Sequence, residues 1–160
     1  MKYERFEDVP VWKDGVKLAT DIFSLTEDKS FRFKGDIANQ IQRAGLSVSN
    51  NIAEGFERGT TQELITFLYY ARGSAGEVRS ILCVLESMPV FKNFISQISD
   101  LKSKAESISR QIRGWTDSLQ NTDIKGQRHL DDKTKQVYEH KKKQEQFYKS
   151  LQQYTEKKKF

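Results

Sequence analysis

The chain has 160 residues, of which 31% are charged, with two prolines and a single cysteine. This length and composition predict one helical domain and argue against a sheet protein, a disordered polymer or a disulfide scaffold. The sequence holds no run of about 18 apolar residues and no signal-peptide core, which predicts a cytoplasmic protein.

The positive charge is unevenly distributed along the chain. Residues 1–120 hold 16 basic and 16 acidic side chains, whereas residues 121–160 hold 11 basic and 6 acidic ones. The whole formal excess of +5 therefore lies in the last quarter. We expect any attraction to nucleic acid or another anion to be concentrated there.

The first two helices are predicted from caps and apolar spacing. The first begins at Asp8 as N-cap, with Pro10 in its first turn. Its predicted core stripe comprises Trp12, Val16, Ala19 and Phe23, widened by Val11, Leu18 and Ile22. The second helix covers residues 34–58 and stops before Gly59. Its core series is Ile37, Ile41, Ala44, Val48 and Ile52.

Two further helices complete the prediction. Thr60 or Thr61 caps the third, Glu63 completes a capping box, and Pro89 ends the helix. Cys83 occupies an apolar helical position and is predicted to be a reduced core thiol. From Phe94 to Leu119 apolar residues alternate at four and three positions, the heptad period of bundle packing.

These four helices predict an all-α fold, an up-down four-helix bundle subunit over residues 1–119. Residues 120–160 are predicted to form a basic C-terminal extension, partly helical or disordered, because their apolar content is too low to order them alone.

Two polar runs interrupt the apolar pattern of the second and third helices. On a helical wheel, one stripe lies beside the core series of the second helix, while two glycines lie opposite the core of the third. One interpretation is a solvated face with tolerated glycines or a kink, and the other is a subunit interface that small residues allow a neighbour to approach. The candidate interface residues are Arg43, Ser47, Asn50, Asn51, Glu54, Arg58, Gly73, Gly76 and Glu77.

Four segments in this order, residues 6–12, 40–44, 51–58 and 67–80, resemble the bacterial family of four-helix-bundle proteins encoded by intervening sequences in 23S ribosomal RNA genes. The resemblance covers about residues 5–119 and implies cup-shaped homopentamers. It also implies a fold shared with accessory proteins of diversity-generating retroelements, which bind a reverse transcriptase and its RNA. Residues 83–91 depart from the family pattern, and the basic extension exceeds the usual length, so the extension inherits no role.

No motif for chemistry is present in the sequence. His129 and His140 lack cysteine neighbours, and no Glu-x-x-His pair, phosphate-binding loop or nucleophile elbow occurs. We therefore predict no catalytic residues, no metal, no cofactor and no enzymatic activity.

The basic extension is the candidate nucleic-acid contact, because lysines neutralise phosphates and aromatic rings stack on unpaired bases. A solubilising tail is the alternative interpretation. The predicted function is a homo-oligomeric adaptor that binds RNA or single-stranded DNA, with a reverse transcriptase as one partner that the resemblance implies. The competing prediction is a protein-interaction scaffold whose tail folds on a protein partner. The candidate contacts are Lys133, Lys135, Lys141, Lys142, Lys143, Lys149, Lys157, Lys158, Lys159 and Tyr148.

Overall fold

The computed structural model describes residues 3–31, 34–121, 140, 143, 144 and 146–148. Spatial clustering divides the chain into two units, Met1–Gly126 and Gln127–Phe160. The first unit contains four long helices: α1 (Pro10–Thr26), α2 (Gly35–Glu57), α3 (Thr61–Glu86) and α4 (Ile95–Gln120). Short 3-10 turns cover Phe6–Asp8, Lys29–Phe31 and Pro89–Phe94. The described residues contain no strand, so the all-α helical bundle prediction is confirmed.

Neighbouring helices run antiparallel, because residue numbers rise along one helix as they fall along its partner. Asp14 accepts a hydrogen bond from Gln111 at 2.8 Å, and Asp21 pairs with Lys104 at 2.6 Å. The other pairs of neighbouring helices show the same reversal. For α1 and α2 the contacts are Gly15 with Ser49 and Ile22 with Gly45. For α2 and α3 they are Gln40 with Glu77 and Ser47 with Ser74, and for α3 and α4 they are Tyr69 with Gln120 and Glu86 with Lys102. The topology is therefore up, down, up, down.

The bundle core is mainly aliphatic. Phe56, near the C-terminal end of α2, is buried toward one end of the bundle, and phenylalanines of the links fill the other end. Phe31 and Phe91 meet there with ring centroids 4.6 Å apart, and Phe94 packs against Phe91. Because the 3-10 turns carry Phe31 and Phe91, the links close this end of the core as well as connecting helices. The largest fully buried aliphatic side chains are Leu18, Ile22, Leu25, Ile41, Ile52, Leu64, Leu68, Leu82, Leu85 and Ile98.

Most predicted helix ends agree with the structure. Gly59 follows the α2 C-cap with φ of 79°, a conformation that glycine adopts without steric cost. The Thr60 hydroxyl accepts a hydrogen bond from the Glu63 amide at 3.2 Å and donates to the Glu63 carboxylate at 2.7 Å. The prediction for α1 was wrong, since Val9 and not Asp8 is the N-cap. Residues 6–8 form a 3-10 turn that buries Val9, and Pro10 needs no cap at its missing N–H.

The predicted core stripe of α1 was right in part. Val11, Leu18, Ala19 and Ile22 are buried as predicted, but Trp12, Val16 and Phe23 are not. Val16 and Phe23 are 38% and 40% exposed, and Trp12 is half-buried with its ring 5.1 Å from that of Phe6. The centre of the buried side lies about a quarter-turn around the helix from the line through Trp12, Val16 and Phe23, because α1 must face both α2 and α4. The buried side consists of Val11, Gly15, Leu18, Ala19, Ile22, Leu25 and Thr26.

Cys83 is exposed and not a core thiol as predicted. Its neighbours Leu82 and Leu85 fill the core side of α3, and one residue of helical rotation carries the thiol about 100° away from Leu82.

Two glycines of α2 let the neighbouring helices approach closely. A Cβ added at Gly55 would lie 2.6 Å from Phe67 Cβ, and one at Gly45 would lie 2.7 Å from Ile22 Cδ1. The Ile22 methyl group can move aside, whereas Phe67 Cβ is attached directly to the α3 backbone. The α2–α3 contact at Gly55 is therefore the less tolerant of the two.

We expect Gly55→Ala to lower the free energy of unfolding by about 1–2 kcal/mol net, because overpacking costs more than the roughly 1 kcal/mol of helix propensity that alanine adds. Urea unfolding followed by circular dichroism measures this change. Gly114→Ala is the matched control, since a Cβ there meets nothing within 4 Å and should be neutral or stabilising. Equal stabilisation by both substitutions would contradict the close contact.

Candidate functional site

The predicted interface residues of α2 form one polar stripe. We call Arg43, Ser47, Asn50, Asn51, Glu54 and Arg58 the α2 polar stripe. Ser47 and Asn51 are half-buried and the other four are exposed, so the stripe runs along the edge of the core. The structure therefore confirms that these residues share one side of the helix.

A chain of hydrogen bonds ties the middle of the α2 polar stripe to α3. Asn51 donates to the Ser47 carbonyl at 2.7 Å and to the Ser47 hydroxyl at 2.9 Å. The Ser47 and Ser74 hydroxyls are 2.9 Å apart, and Ser74 donates to the Tyr70 carbonyl at 3.0 Å. Because the Ser74 proton is used on Tyr70, Ser47 is the donor to Ser74. These polar groups are satisfied within the subunit.

The C-terminal end of the stripe is also used inside the subunit. Arg58 donates to Glu54 at 2.6 Å, lies 3.9 Å from the Glu63 carboxylate, and sits 5.0 Å from the centroid of the Phe67 ring. The hydrogen bond to Glu54 raises the pKa of Arg58 above its ordinary value. All three charged groups are substantially exposed, so their value to stability is small. They lie on either side of the turn between α2 and α3.

The N-terminal end of the stripe borders an open polar groove. Gln40 donates to Glu77 at 3.2 Å across this groove, which has a volume of about 610 Å³. Arg43 forms no hydrogen bond or ion pair with any residue that the structure describes. The structure thus brings three predicted residues, Arg43, Ser47 and Glu77, to one place. The lining residues are Asp36, Asn39, Gln40, Arg43, Ala44, Ser47 and Glu77.

The glycines of α2 and α3 fall into two physical classes. Gly45 and Gly55 are buried against α1 and α3, and Ser49 beside Gly15 is also buried. Packing within the subunit therefore explains Gly45 and Ser49, and an outer contact face is not needed to account for them. Gly73 and Gly76 are different, because both are exposed and an added Cβ at either would meet nothing within 4 Å.

The outward side of α3 is largely uncharged. Tyr69, Tyr70 and Val84 are 44%, 57% and 50% exposed, and none of them is among the predicted interface residues. Glu77 is the one formally charged member of this side, which we call the α3 outer face, and Arg72 and Arg79 border it on the flank toward α4. Helix surfaces that face water normally carry more charged side chains than this one, so the composition of the face is suited to contact with another molecule. The face comprises Gln62, Thr66, Tyr70, Gly73, Gly76, Glu77, Ser80 and Val84, and Tyr69 lies at its edge toward α4.

Two of the predicted nucleic-acid contacts fall within the described residues. Lys143 and Tyr148 are helical and exposed, and the Tyr148 ring lies 6.3 Å from that of Phe147 in an edge-on arrangement. Phe147 is 61% exposed. The other predicted contacts lie outside the described residues: Lys133, Lys135, Lys141, Lys142, Lys149, Lys157, Lys158 and Lys159.

Within the described ranges, no group of three or more histidine, cysteine, aspartate or glutamate side chains is arranged to hold a metal ion. No single helix in these ranges is long and apolar enough to cross a membrane. By length and composition alone, Thr61–Glu86 and Pro89–Gln120 meet that criterion as a pair, with a bend of 112° between them.

The comparison with known proteins gives one result. No curated protein matches the chain. A family model described as 23S rRNA-intervening sequence protein matches residues 7–114, which cover all of α1, α2 and α3 and most of α4. Because this match spans more than half of the chain and the whole α2–α3 surface, the protein belongs to the 23S rRNA-intervening sequence protein family.

Proposed function

We propose that this chain is a non-enzymatic, homo-oligomeric adaptor that binds nucleic acid in the cytoplasm. Its α3 outer face and the adjoining α2 polar stripe form the subunit contact, and its basic C-terminal extension binds RNA or single-stranded DNA. Five subunits and a fold shared with retroelement accessory proteins are the arrangement that the family resemblance favours. A reverse transcriptase with its RNA is the partner that this relationship suggests.

The observation that carries the oligomer proposal is the open space around Gly73 and Gly76. Glycine inside a helix costs about 1 kcal/mol relative to alanine, and no contact among the described residues requires a glycine at either position. A neighbouring subunit that approaches the α3 backbone would require both. The exposed Tyr70 beside them supplies aromatic area of the kind that is enriched in protein interfaces.

Charge supports the nucleic-acid part of the proposal. The extension has five more basic than acidic side chains, and five copies would add about +25 to one assembly. Several weak contacts on one assembly act together, so a modest affinity for each tail becomes a strong one for the oligomer. Because the contacts are to phosphates, binding should be indifferent to sequence and strongly dependent on salt.

We expect the double substitution Gly73→Gln and Gly76→Gln to dissociate the oligomer while leaving the subunit folded. Glutamine is a good helix former and each new side chain points into open space, so the melting temperature of the monomer should not fall. Light scattering coupled to size-exclusion chromatography measures the subunit number, and circular dichroism measures helix content.

Gly114→Gln is the control for this experiment, because it adds the same side chain at an exposed α4 position with open space. It should leave the subunit number unchanged. An oligomer that survives the double substitution, or a wild-type chain that is monomeric at all concentrations tested, would remove the basis for the subunit contact.

We expect replacement of Lys141, Lys142 and Lys143 by glutamine to weaken binding to a labelled single-stranded oligonucleotide and to flatten its salt dependence. Each lost phosphate contact should reduce the slope of log K against log salt by about 0.7. Fluorescence anisotropy over a salt series measures both quantities.

The matched control removes the same number of charges from the bundle, with Lys13, Lys17 and Lys29 replaced by glutamine. These lysines are exposed and form no ion pair within the described residues. Equal effects of the two triple substitutions would mean that the extension has no special role. A wild-type chain that binds no oligonucleotide at low salt would instead favour the protein-interaction scaffold.

A further inference from the structure

The cations of α3 and α4 differ in how they are paired. On α4, Lys102, Lys104, Arg110 and Arg113 each lie within 4.0 Å of a carboxylate. On α3, Arg72 and Arg79 form neither an ion pair nor a hydrogen bond within the part of the chain that the structure describes. The uncompensated positive charge on this pair of helices is therefore carried by two arginines of α3.

Arg72 and Arg79 lie on the same side of their helix. They are seven residues apart, which corresponds to two turns and about 10 Å along the axis. Residues of α3 on both sides of this pair in the sequence contact α4. Before it, the Tyr69 hydroxyl accepts a hydrogen bond from Gln120 at 3.0 Å, and after it, Glu86 forms an ion pair with Lys102 at 2.7 Å. Helical rotation places both arginines on the flank of α3 that faces α4.

The surface around the two arginines is accessible and contains an aromatic ring. Gly76 lies between them, one turn from each, and an added Cβ there meets nothing within 4 Å. Tyr69 is 44% exposed and lies one turn before Arg72, with its hydroxyl held by Gln120. Arg72 is half-buried and Arg79 is exposed. The aromatic ring and the two guanidinium groups thus follow one line along the helix.

This combination matches the chemistry of a single nucleic-acid strand. A guanidinium group binds a phosphate with two parallel hydrogen bonds, which a lysine ammonium cannot do. An exposed tyrosine ring stacks on an unpaired base regardless of its identity. An unpaired arginine loses no internal ion pair when it binds a phosphate, whereas Arg110 and Arg113 would have to leave Glu106 and Asp117.

We propose that Arg72, Arg79 and Tyr69 form a second nucleic-acid contact on the bundle itself, in which the arginines bind two phosphates of one strand and Tyr69 stacks on a base. This inference rests on the proposed function, because it places part of the binding on α3 in addition to the basic extension. It assigns the bundle a binding surface that net charge does not reveal, since residues 1–120 are neutral overall.

The test uses the full chain with Arg72→Gln and Arg79→Gln together, and a fluorescein-labelled single-stranded RNA of mixed sequence as the probe. Loss of two phosphate contacts should lower the slope of log K against log salt by about 1.4, which corresponds to a roughly 25-fold loss of affinity near 0.1 M salt. Arg72→Lys with Arg79→Lys should keep most of the salt slope, because the charges remain. Tyr69→Leu should weaken binding without changing the slope.

The matched control is Arg110→Gln with Arg113→Gln, which removes the same formal charge from the neighbouring helix and should change affinity by less than about threefold. If the wild-type chain binds no RNA, both the proposed function and this contact are overturned. If it binds and the Arg72/Arg79 variant behaves like the control, only this contact is overturned. If the Arg72/Arg79 variant no longer forms the oligomer but each subunit binds RNA as tightly as before, the arginines contact another protein subunit. That result would also overturn this contact.

Discussion

The close approach of α2 to both of its neighbours is the constraint on which the rest of the bundle depends. Gly45 leaves room for Ile22 of α1, and Gly55 leaves room for Phe67 of α3. These glycines lie ten residues apart and fix the register of α2 against two helices at once. Ser47 then meets Ser74, and Gln40 meets Glu77. The polar side of α2 is therefore positioned by packing that involves no polar residue.

This register gives the two ends and the middle of the α2 polar stripe different surroundings. Its middle and its C-terminal end are occupied inside the subunit, through the hydrogen bonds of Asn51 and Ser47 and the ion pair of Arg58 with Glu54. Arg43, which borders the groove, forms no hydrogen bond or ion pair within the part of the chain that the structure describes. Contacts between helices of one subunit therefore explain some of the polar side chains of the stripe. They do not explain the side chains around the groove near Arg43.

The number and order of the helices and most of their ends could be predicted because local chemistry sets them: Gly59 stops α2, and Thr60 with Glu63 caps α3. Predicting which side of a helix is buried was harder. The stripe chosen for α1 ran through Val16 and Phe23, which are exposed, because a helical wheel does not tell where two neighbours will sit. Gly45 likewise required the position of Ile22 before its role was clear. The lysines of the extension stay a prediction, because most lie outside the described residues.

The positions of the α3 residues make the two proposed uses of this helix compatible. Gly73 and Glu77 lie toward solvent and the α2 groove, while Arg72 and Arg79 lie toward α4. A neighbour that packs over the glycines covers uncharged backbone, and it need not bury Tyr69 or the unpaired guanidinium groups; desolvating those charges would cost free energy. The arginines would then line the rim of the subunit contact. Repetition around a closed assembly would place one such pair beside each junction, so that oligomerisation arranges several weak phosphate contacts along one path.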